Sequence, residues 1–193
     1  MQAMPDGWMA LLLLGAFHGV NPGMGWLFAV ALGLQERSGR AVWRALPPLL
    51  AGHALAVAFA LALAAALGLA IGAAAVRLVL AATLVTMGVM RLRRAWHPRF
   101  GGMRVGARDL VVWSFLMATG HGAGLMALAF VDSGLGDGFL AALVHTAGYA
   151  LLTGLLAALI YYKLGLRLLQ RGWLNLDLVW AASLVLTGLL LLA

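Results

Sequence analysis

The chain has 193 residues, of which 64% are hydrophobic and only 10% are charged, and its formal net charge is +7. Soluble domains average about 45–50% apolar and about 25% charged residues, so this composition excludes an ordinary water-soluble protein and indicates a membrane protein. The absence of cysteine excludes disulfides, thiolate metal sites and cysteine nucleophiles. Any metal ion would have to be bound by imidazole, thioether, amide, carboxylate or backbone oxygen.

Six apolar segments follow one another along the chain, and each is close to the roughly 20 residues that a helix needs to cross a bilayer core of about 30 Å. In chain order they are residues 8–34, 45–69, 75–92, 110–131, 139–162 and 176–193. We therefore predict an all-α, polytopic membrane protein with six transmembrane helices. Residues 1–193 form a single membrane domain in this prediction, and the lipid bilayer is its main partner.

The basic residues are concentrated in three short stretches that alternate with neutral or acidic connections. Only Arg77 lies elsewhere; the stretches contain Arg37, Arg40 and Arg44, then Arg91, Arg93, Arg94, Arg99, Arg104 and Arg108, then Lys163, Arg167 and Arg171. The positive-inside rule places these stretches in the cytoplasm and both termini outside, in the inner membrane of a cell. The positive charge then indicates contact with anionic lipid and no binding of nucleic acid.

The two halves of the chain resemble each other. Residues 81–88, AATLVTMG, match residues 181–188, AASLVLTG. Because each half contains three spans, the second copy must enter the membrane from the opposite side, which predicts a 3+3 inverted-topology repeat. We place the first repeat at residues 1–95, a basic cytoplasmic linker at 96–108 and the second repeat at 109–193.

Four of the five histidines fall inside the predicted spans and keep their order in both halves: His18 corresponds to His121, and His53 to His145. A rise of about 1.5 Å per residue places the first pair about 15 Å deep, near the midplane, and the second pair toward opposite openings. Ionisable side chains at such depth are costly and usually face the bundle interior. We predict that the four imidazoles form a shared site that binds metal or relays protons; the alternative is neutral imidazoles that hydrogen-bond between helices.

The first span contains the motif His18-Gly-Val-Asn-Pro-Gly-Met24. Pro22 removes a backbone donor and Gly23 loosens the chain, so we expect a kinked or broken helix with free carbonyls beside His18. Asn21 lies three residues after His18 on the same helix face, and Met24 joins them if the break redirects the chain.

The second half contributes three further candidates for a ligand pathway. Met126 follows His121 by five residues, while Tyr149 and Thr153 follow His145 by four and eight and so form one polar stripe. Methionines and hydroxyl groups also serve as packing and hydrogen-bonding groups between membrane helices. Imidazole and thioether without carboxylate suit a soft ion such as Cu(I) better than Mg²⁺ or Ca²⁺.

The hydrophobicity, the 3+3 repeat and the motif His-x-x-Asn-Pro-Gly-Met resemble the lysine-exporter superfamily of small transporters, in particular its nickel/cobalt transporter and urease-accessory/sulfite-exporter-like branches. The nickel/cobalt branch carries a histidine followed by aspartates three and five residues on and a histidine six residues on. Here His18 is followed at those places by Asn21, Gly23 and Met24, so the spacing is kept and the ligand types differ. The resemblance covers the architecture of the whole chain and implies a transport function.

These features favour a small secondary transporter or exporter of a metal ion, such as copper, nickel, cobalt or zinc, or of a small solute. The alternative is a membrane redox protein in which the same histidines bind haem or a metal. An intramembrane metal enzyme is a third reading, but no His-Glu-x-x-His, paired intramembrane carboxylates or Ser/His/Asp set is present, and we assign no catalytic residue. A homodimer would suit so small a bundle.

Overall fold

The computed structural model describes residues 5–71, 73–93, 105–128, 135–164, 176–190 and 192, and all regular secondary structure in these ranges is helical. The predicted all-α class is therefore confirmed for this part of the chain. The α-helices are α1 (Pro5–Val20), α2 (Trp26–Gln35), α3 (Gly39–Ile71), α4 (Ala73–Arg93), α5 (Ala107–Gly120), α6 (Ala123–Leu128), α7 (Leu135–Leu159) and α8 (Leu176–Leu190). A 3-10 turn, Pro22–Met24, separates α1 from α2, and a π-helical turn, Ile160–Leu164, follows α7.

The first apolar segment is interrupted where Pro22 and its neighbours predict a break, and this prediction is confirmed. Asn21 leaves the helix in an extended conformation, and its side chain accepts a hydrogen bond of 2.9 Å from the Gly23 amide. Gly25 has a φ of +148°, a conformation that L side chains rarely adopt, and α2 begins at the next residue. We call residues 21–25 the helix break.

The segment predicted as one span over residues 110–131 is divided as well, which the sequence analysis did not anticipate. Helix α5 ends at Gly120, and α6 begins at Ala123. Gly122 between them has a φ of +72°. No proline marks this position, and a glycine that adopts a left-handed conformation ends the helix instead.

Close backbone contacts hold the helices in three main pairs: α1 with α7, α3 with α5, and α4 with α8. A Cβ atom added at Gly148 would lie 2.1 Å from the Leu12 carbonyl oxygen, and one added at Gly52 would lie 2.2 Å from that of Val111. Only glycine allows two helices to approach this closely.

The contact between α4 and α8 is reciprocal at the two ends of the repeated sequence. A Cβ atom at Gly88 would lie 2.8 Å from the Ala181 carbonyl oxygen, and one at Gly188 would lie 2.9 Å from that of Ala81. The matching residues of the two halves therefore make matching contacts.

Two of the described helical segments, Gly39–Leu67 and Gly138–Lys163, are long and apolar enough to cross a membrane. Three shorter apolar segments accompany them: Gly7–Val20, Trp26–Gln35 and Leu78–Met90. Large apolar side chains cover the outside of the molecule, and Leu151 on α7 is 74% exposed. This distribution is the one expected of helices that face lipid.

Several predicted features lie outside the described residues or only partly within them. Residues 96–104 of the predicted linker, which include His97, are outside, whereas residues 107 and 108 already belong to α5. Part of the second and third basic stretches is likewise outside: Arg94, Arg99, Arg104, Arg167 and Arg171. In the first stretch, one guanidinium nitrogen of the exposed Arg44 donates to both carboxylate oxygens of Glu36, at 2.6 and 2.8 Å, and the two side chains form an ion pair.

Candidate functional site

Three of the four predicted histidines lie together in the interior of the helix bundle. The ring centroid of His18 on α1 is 5.0 Å from that of His145 on α7 and 5.9 Å from that of His53 on α3. The centroids of His53 and His145 are 5.4 Å apart, with nearly parallel rings. All three side chains are completely buried. We call them the imidazole cluster, and three separate helices supply its members.

The prediction that His53 and His145 lie toward opposite openings is wrong, because their rings are in contact. That estimate counted residues from the ends of the apolar segments. Helix α3 begins at Gly39, six residues before the apolar segment does, and α7 begins at Leu135, four residues before its own. Both histidines are therefore about 6–9 Å deeper in their helices than the estimate placed them, at a rise of about 1.5 Å per residue.

The hydrogen bonding of the imidazole cluster differs from ring to ring. The Nδ1 atom of His18 is 2.8 Å from the Leu14 carbonyl oxygen one helical turn earlier. Within the described ranges, neither ring nitrogen of His53 has a hydrogen-bond partner. The same holds for His145, although the Leu11 backbone lies beside its ring. Buried polar atoms without partners are costly, and in native proteins they often mark a functional site.

Tyr149 extends the cluster on the side of α7. Its ring stacks face to face on that of His53, with centroids 3.9 Å apart and planes at 11°. The hydroxyl group donates a hydrogen bond to the Met24 carbonyl oxygen in the helix break. The hydroxyls of Ser114 and Thr153 lie beside it. Tyr149 therefore contacts both the imidazole cluster and the break in the first span.

The carbonyl groups of the helix break are not free, which corrects the prediction of open carbonyls beside His18. The indole nitrogen of Trp26 donates to the Val20 carbonyl at 2.9 Å, and that of Trp113 donates to the Gly23 carbonyl at 3.1 Å. Tyr149 donates to the Met24 carbonyl. Aromatic donors from three helices thus satisfy carbonyl groups within the break and at the end of α1 next to it, as buried backbone polar groups require.

His121 occupies the second interruption, at the end of α5. Its side chain is 2% exposed, and its Nδ1 atom is 2.7 Å from the Met117 carbonyl oxygen. His121 lies near enough to His18 for charges on the two rings to interact. His18 thus lies two residues before the end of α1, and His121 directly follows the end of α5. The Nδ1 atom of each ring contacts the carbonyl oxygen four residues earlier.

The other predicted pathway residues are all buried, but their contacts differ. Asn21 stabilises the 3-10 turn through its contact with the Gly23 amide, and Met24 reaches Tyr149 through its main-chain carbonyl. Thr153 lies beside the Tyr149 hydroxyl. Met126 packs instead with Leu84 and Leu184 in a separate apolar cluster. The structure therefore gathers Thr153, Tyr149 and the Met24 backbone near the imidazoles and places Met126 elsewhere.

Sequence reasoning missed Ser114, Trp113 and Trp26. Ser114 is fully buried and donates a hydrogen bond of 2.7 Å to the Leu49 carbonyl, which fixes α5 against α3. A lone hydroxyl in the apolar run LVVWSFLM could have drawn attention to it. No sequence signal identifies the two tryptophans as donors to the helix break, because tryptophan is common in membrane helices for other reasons.

The electrostatics of the interior are set by neutral groups. Among the side chains that the structure describes, no Asp, Glu, Lys or Arg is buried. The described residues also contain no group of three or more His, Asp or Glu side chains that is arranged to hold a metal ion. The three rings of the imidazole cluster pack against one another with centroids 5.0, 5.4 and 5.9 Å apart, and a metal ion bound by their nitrogens would require the rings to turn.

Comparisons of the chain with protein-family models, with curated proteins and with solved structures found no match.

Proposed function

We propose that the protein is a small secondary transporter whose cargo binds at the imidazole cluster in the middle of the membrane. The observation that carries this proposal is the burial of three histidines from three different helices in mutual contact, two of them without hydrogen-bond partners in the described structure. Intramembrane ionisable groups that face the bundle interior are typical of substrate and ion pathways.

The helix pairing supports the six-span inverted repeat that the proposal needs. A twofold axis in the membrane plane would exchange α1 with α5, α3 with α7, and α4 with α8. That operation converts the α1–α7 pair into the α5–α3 pair and maps the α4–α8 pair onto itself, and these are the three main pairs present. The interrupted spans α1–α2 and α5–α6 are also exchanged. Interrupted helices beside a midplane site are a recurrent feature of transporters built on inverted repeats.

The cargo that best fits these donors is a soft transition-metal ion, with Cu⁺ first, nickel-like ions next and a small solute as the other candidate. Neutral imidazoles without a carboxylate favour soft or borderline ions over Mg²⁺ or Ca²⁺. A single positive charge is also easier to hold than a double one where no buried carboxylate among the described residues offsets it. The resemblance to the nickel/cobalt and sulfite-exporter-like transporters supports a transport function of this kind.

The haem alternative finds less support in the geometry. The ring of His53 stacks on that of Tyr149 with centroids 3.9 Å apart, and the His145 ring lies nearly parallel to it at 5.4 Å, so a haem bound by His53 would have to displace these contacts. The transporter proposal therefore predicts a purified protein without a Soret absorption band. A Soret band that disappears in a His53→Leu variant would favour the redox function.

Uptake into proteoliposomes tests the proposal. Vesicles that contain a metal-sensitive dye are exposed separately to Cu⁺, Ni²⁺, Co²⁺ and Zn²⁺, with protein-free vesicles as the blank. We expect saturable uptake of at least one ion by the unmodified protein, its loss in His145→Leu, and no change in His97→Ala, which alters the histidine outside the predicted spans. Equal uptake by unmodified protein, His145→Leu and empty vesicles would contradict a metal cargo.

A further inference from the structure

We propose that Tyr149 is a positioning residue that links the imidazole cluster to the helix break, so that movement of the His53 ring opens the first span. The inference rests on the proposed transport function, because it explains how cargo at the imidazoles would alter the shape of the bundle. Tyr149 was a candidate for the ligand pathway; the structure points to a different role for it.

His53 and Tyr149 make a face-to-face ring contact. The two rings lie at 3.9 Å and nearly parallel, so His53 presents a face, and no ring nitrogen, to Tyr149. A ligand that binds a nitrogen of His53 together with His18 or His145 requires the ring to turn toward them. The flat contact with Tyr149 is then lost, because two rings can stack closely only while their planes stay nearly parallel.

The Tyr149 hydroxyl is hydrogen-bonded to the helix break. This hydroxyl donates to the Met24 carbonyl, and a Cβ atom added at Gly25 would lie 2.9 Å from the same hydroxyl oxygen. Among the described hydrogen bonds, the neighbouring Ser114 hydroxyl already donates to the Leu49 carbonyl. If Tyr149 shifts, the Met24 carbonyl loses its donor in an apolar interior, and the break must rearrange to satisfy it.

The polar groups around Tyr149, the imidazole cluster and the helix break come from several helices. His18 and the break belong to the first span, His53 to α3, Ser114 to α5, and His145, Tyr149 and Thr153 to α7. Trp113 of α5 supports the same break through the Gly23 carbonyl. Trp113 therefore serves as a matched comparison, because it donates to the same break from α5.

A thiol placed in the break reports its opening. The natural chain has no cysteine, and the Met24 side chain is 1% exposed, so Met24→Cys creates a single buried thiol and keeps the main-chain carbonyl that Tyr149 binds. The rate of labelling by N-ethylmaleimide is measured on the purified full chain. We expect Tyr149→Phe to raise this rate by about two- to tenfold, as loss of one net hydrogen bond predicts. Tyr162→Phe, an exposed tyrosine, should leave it unchanged.

A double-mutant cycle separates coupling from general loosening. Because His53 and Tyr149 act through one contact, His53→Leu combined with Tyr149→Phe should label no faster than the faster single variant. His53→Leu combined with Trp113→Phe should show the product of the two single effects. Three results would overturn the inference. The first is that the labelling rates of the His53 and Tyr149 variants multiply, and the second is that Trp113 is coupled to His53 as strongly as Tyr149 is. The third is that Tyr149→Phe leaves the labelling rate unchanged.

Two further measurements keep the test decisive. If Tyr149→Phe does not purify as a monodisperse protein, the labelling experiment is replaced by amide hydrogen exchange of residues 21–25 in the His53→Leu variant. We expect this exchange to be faster than in the unmodified protein, and an unchanged exchange rate would contradict the inference. Uptake by the unmodified protein is recorded in parallel. Absence of uptake together with coupled labelling would reject the transport function alone, and uptake with uncoupled labelling would reject the role of Tyr149 alone.

Discussion

His53 shows at the level of one residue what the imidazole cluster costs in stability. Its side chain is completely buried, and in the described structure its two nitrogens have no hydrogen-bond partner, while one ring face is covered by Tyr149. An unsatisfied buried polar group costs about 1–3 kcal/mol. Selection for folding alone would favour an apolar side chain here, and the proposed ligand site gives a reason for the histidine.

Replacing His53 by an apolar residue should therefore stabilise the fold and abolish the proposed transport. We expect His53→Leu to raise the free energy of unfolding by about 1 kcal/mol, because the unsatisfied nitrogens are removed. Ser114→Ala is the matched control and should lower it by about 1 kcal/mol, because the hydrogen bond to the Leu49 carbonyl is lost. Unfolding in a denaturing detergent series measures both. A His53→Leu protein that is less stable than the parent would contradict this prediction, because the stacking on Tyr149 would then contribute more than the unsatisfied nitrogens cost.

The sequence predicts which residues of the site are buried better than it predicts what they touch. The histidines stood out because charge-capable side chains are rare in apolar spans, and the helical period placed Tyr149 and Thr153 on the face of His145. Period and spacing describe one helix only. The stacking of Tyr149 on His53, and the donors from Trp26 and Trp113, depend on how neighbouring helices are rotated, which no short-range pattern contains.

At the scale of the elements, glycine determines how closely α1 approaches α7. The backbone of α1 at Leu12 fills the place where a Cβ atom of Gly148 would stand, and the backbone of α7 at His145 does the same for Gly15. These contacts bring His18 and His145 within 5.0 Å of each other. The geometry of the imidazole cluster therefore depends on glycines that carry no chemistry.

Two alanine substitutions in α7 should act in opposite directions. Gly148→Ala forces a methyl group to within 2.1 Å of the Leu12 carbonyl oxygen, so the helices must separate and stability should fall by about 1–3 kcal/mol. A Cβ atom at Gly138 would meet nothing within 4 Å, so Gly138→Ala should add up to about 1 kcal/mol through helix propensity. The thermal unfolding midpoints of the two variants should lie on either side of the parent value. Equal midpoints would contradict the close approach of α1 and α7.

The two helix interruptions differ in how far the sequence predicts them. Pro22 identifies the first break because proline lacks an amide donor and clashes with the preceding turn. The second depends on Gly122 at a φ of +72°, and an isolated glycine in an apolar run more often belongs to a continuous helix. A single span over residues 110–131 was therefore the natural prediction, and only tertiary structure reveals two helices there.

The whole molecule places apolar side chains outside and imidazoles inside. Composition predicts this arrangement, and the described surface agrees with it, since leucines such as Leu13, Leu78 and Leu151 are exposed while the histidines are buried. Charge predicts an orientation, because the positive-inside rule depends on short basic loops and needs no tertiary structure. The internal repeat predicts which spans correspond, but the choice of partners, α1 with α7 and α3 with α5, follows only from packing.

Labelling from the two sides of the membrane tests the proposed orientation. Single cysteines at Arg40 and Arg108, both exposed, should be protected from an impermeant maleimide in intact cells and labelled after the cells are permeabilised. A cysteine added after Ala193 should be labelled without permeabilisation, because both termini are proposed to lie outside. Labelling of Arg40→Cys or Arg108→Cys in intact cells would contradict this topology.

Cross-linking of two histidine positions tests the central claim, that imidazoles from separate halves of the chain meet inside the membrane bundle. Because the chain has no cysteine, His18→Cys and His145→Cys form a clean pair, and a protease site inserted within residues 94–104 allows the halves to be separated afterwards. We predict that oxidation in native membranes holds the cleaved halves together. A pair of His18→Cys with the exposed Phe139→Cys should not do so. Halves that separate equally for both pairs would contradict the shared site.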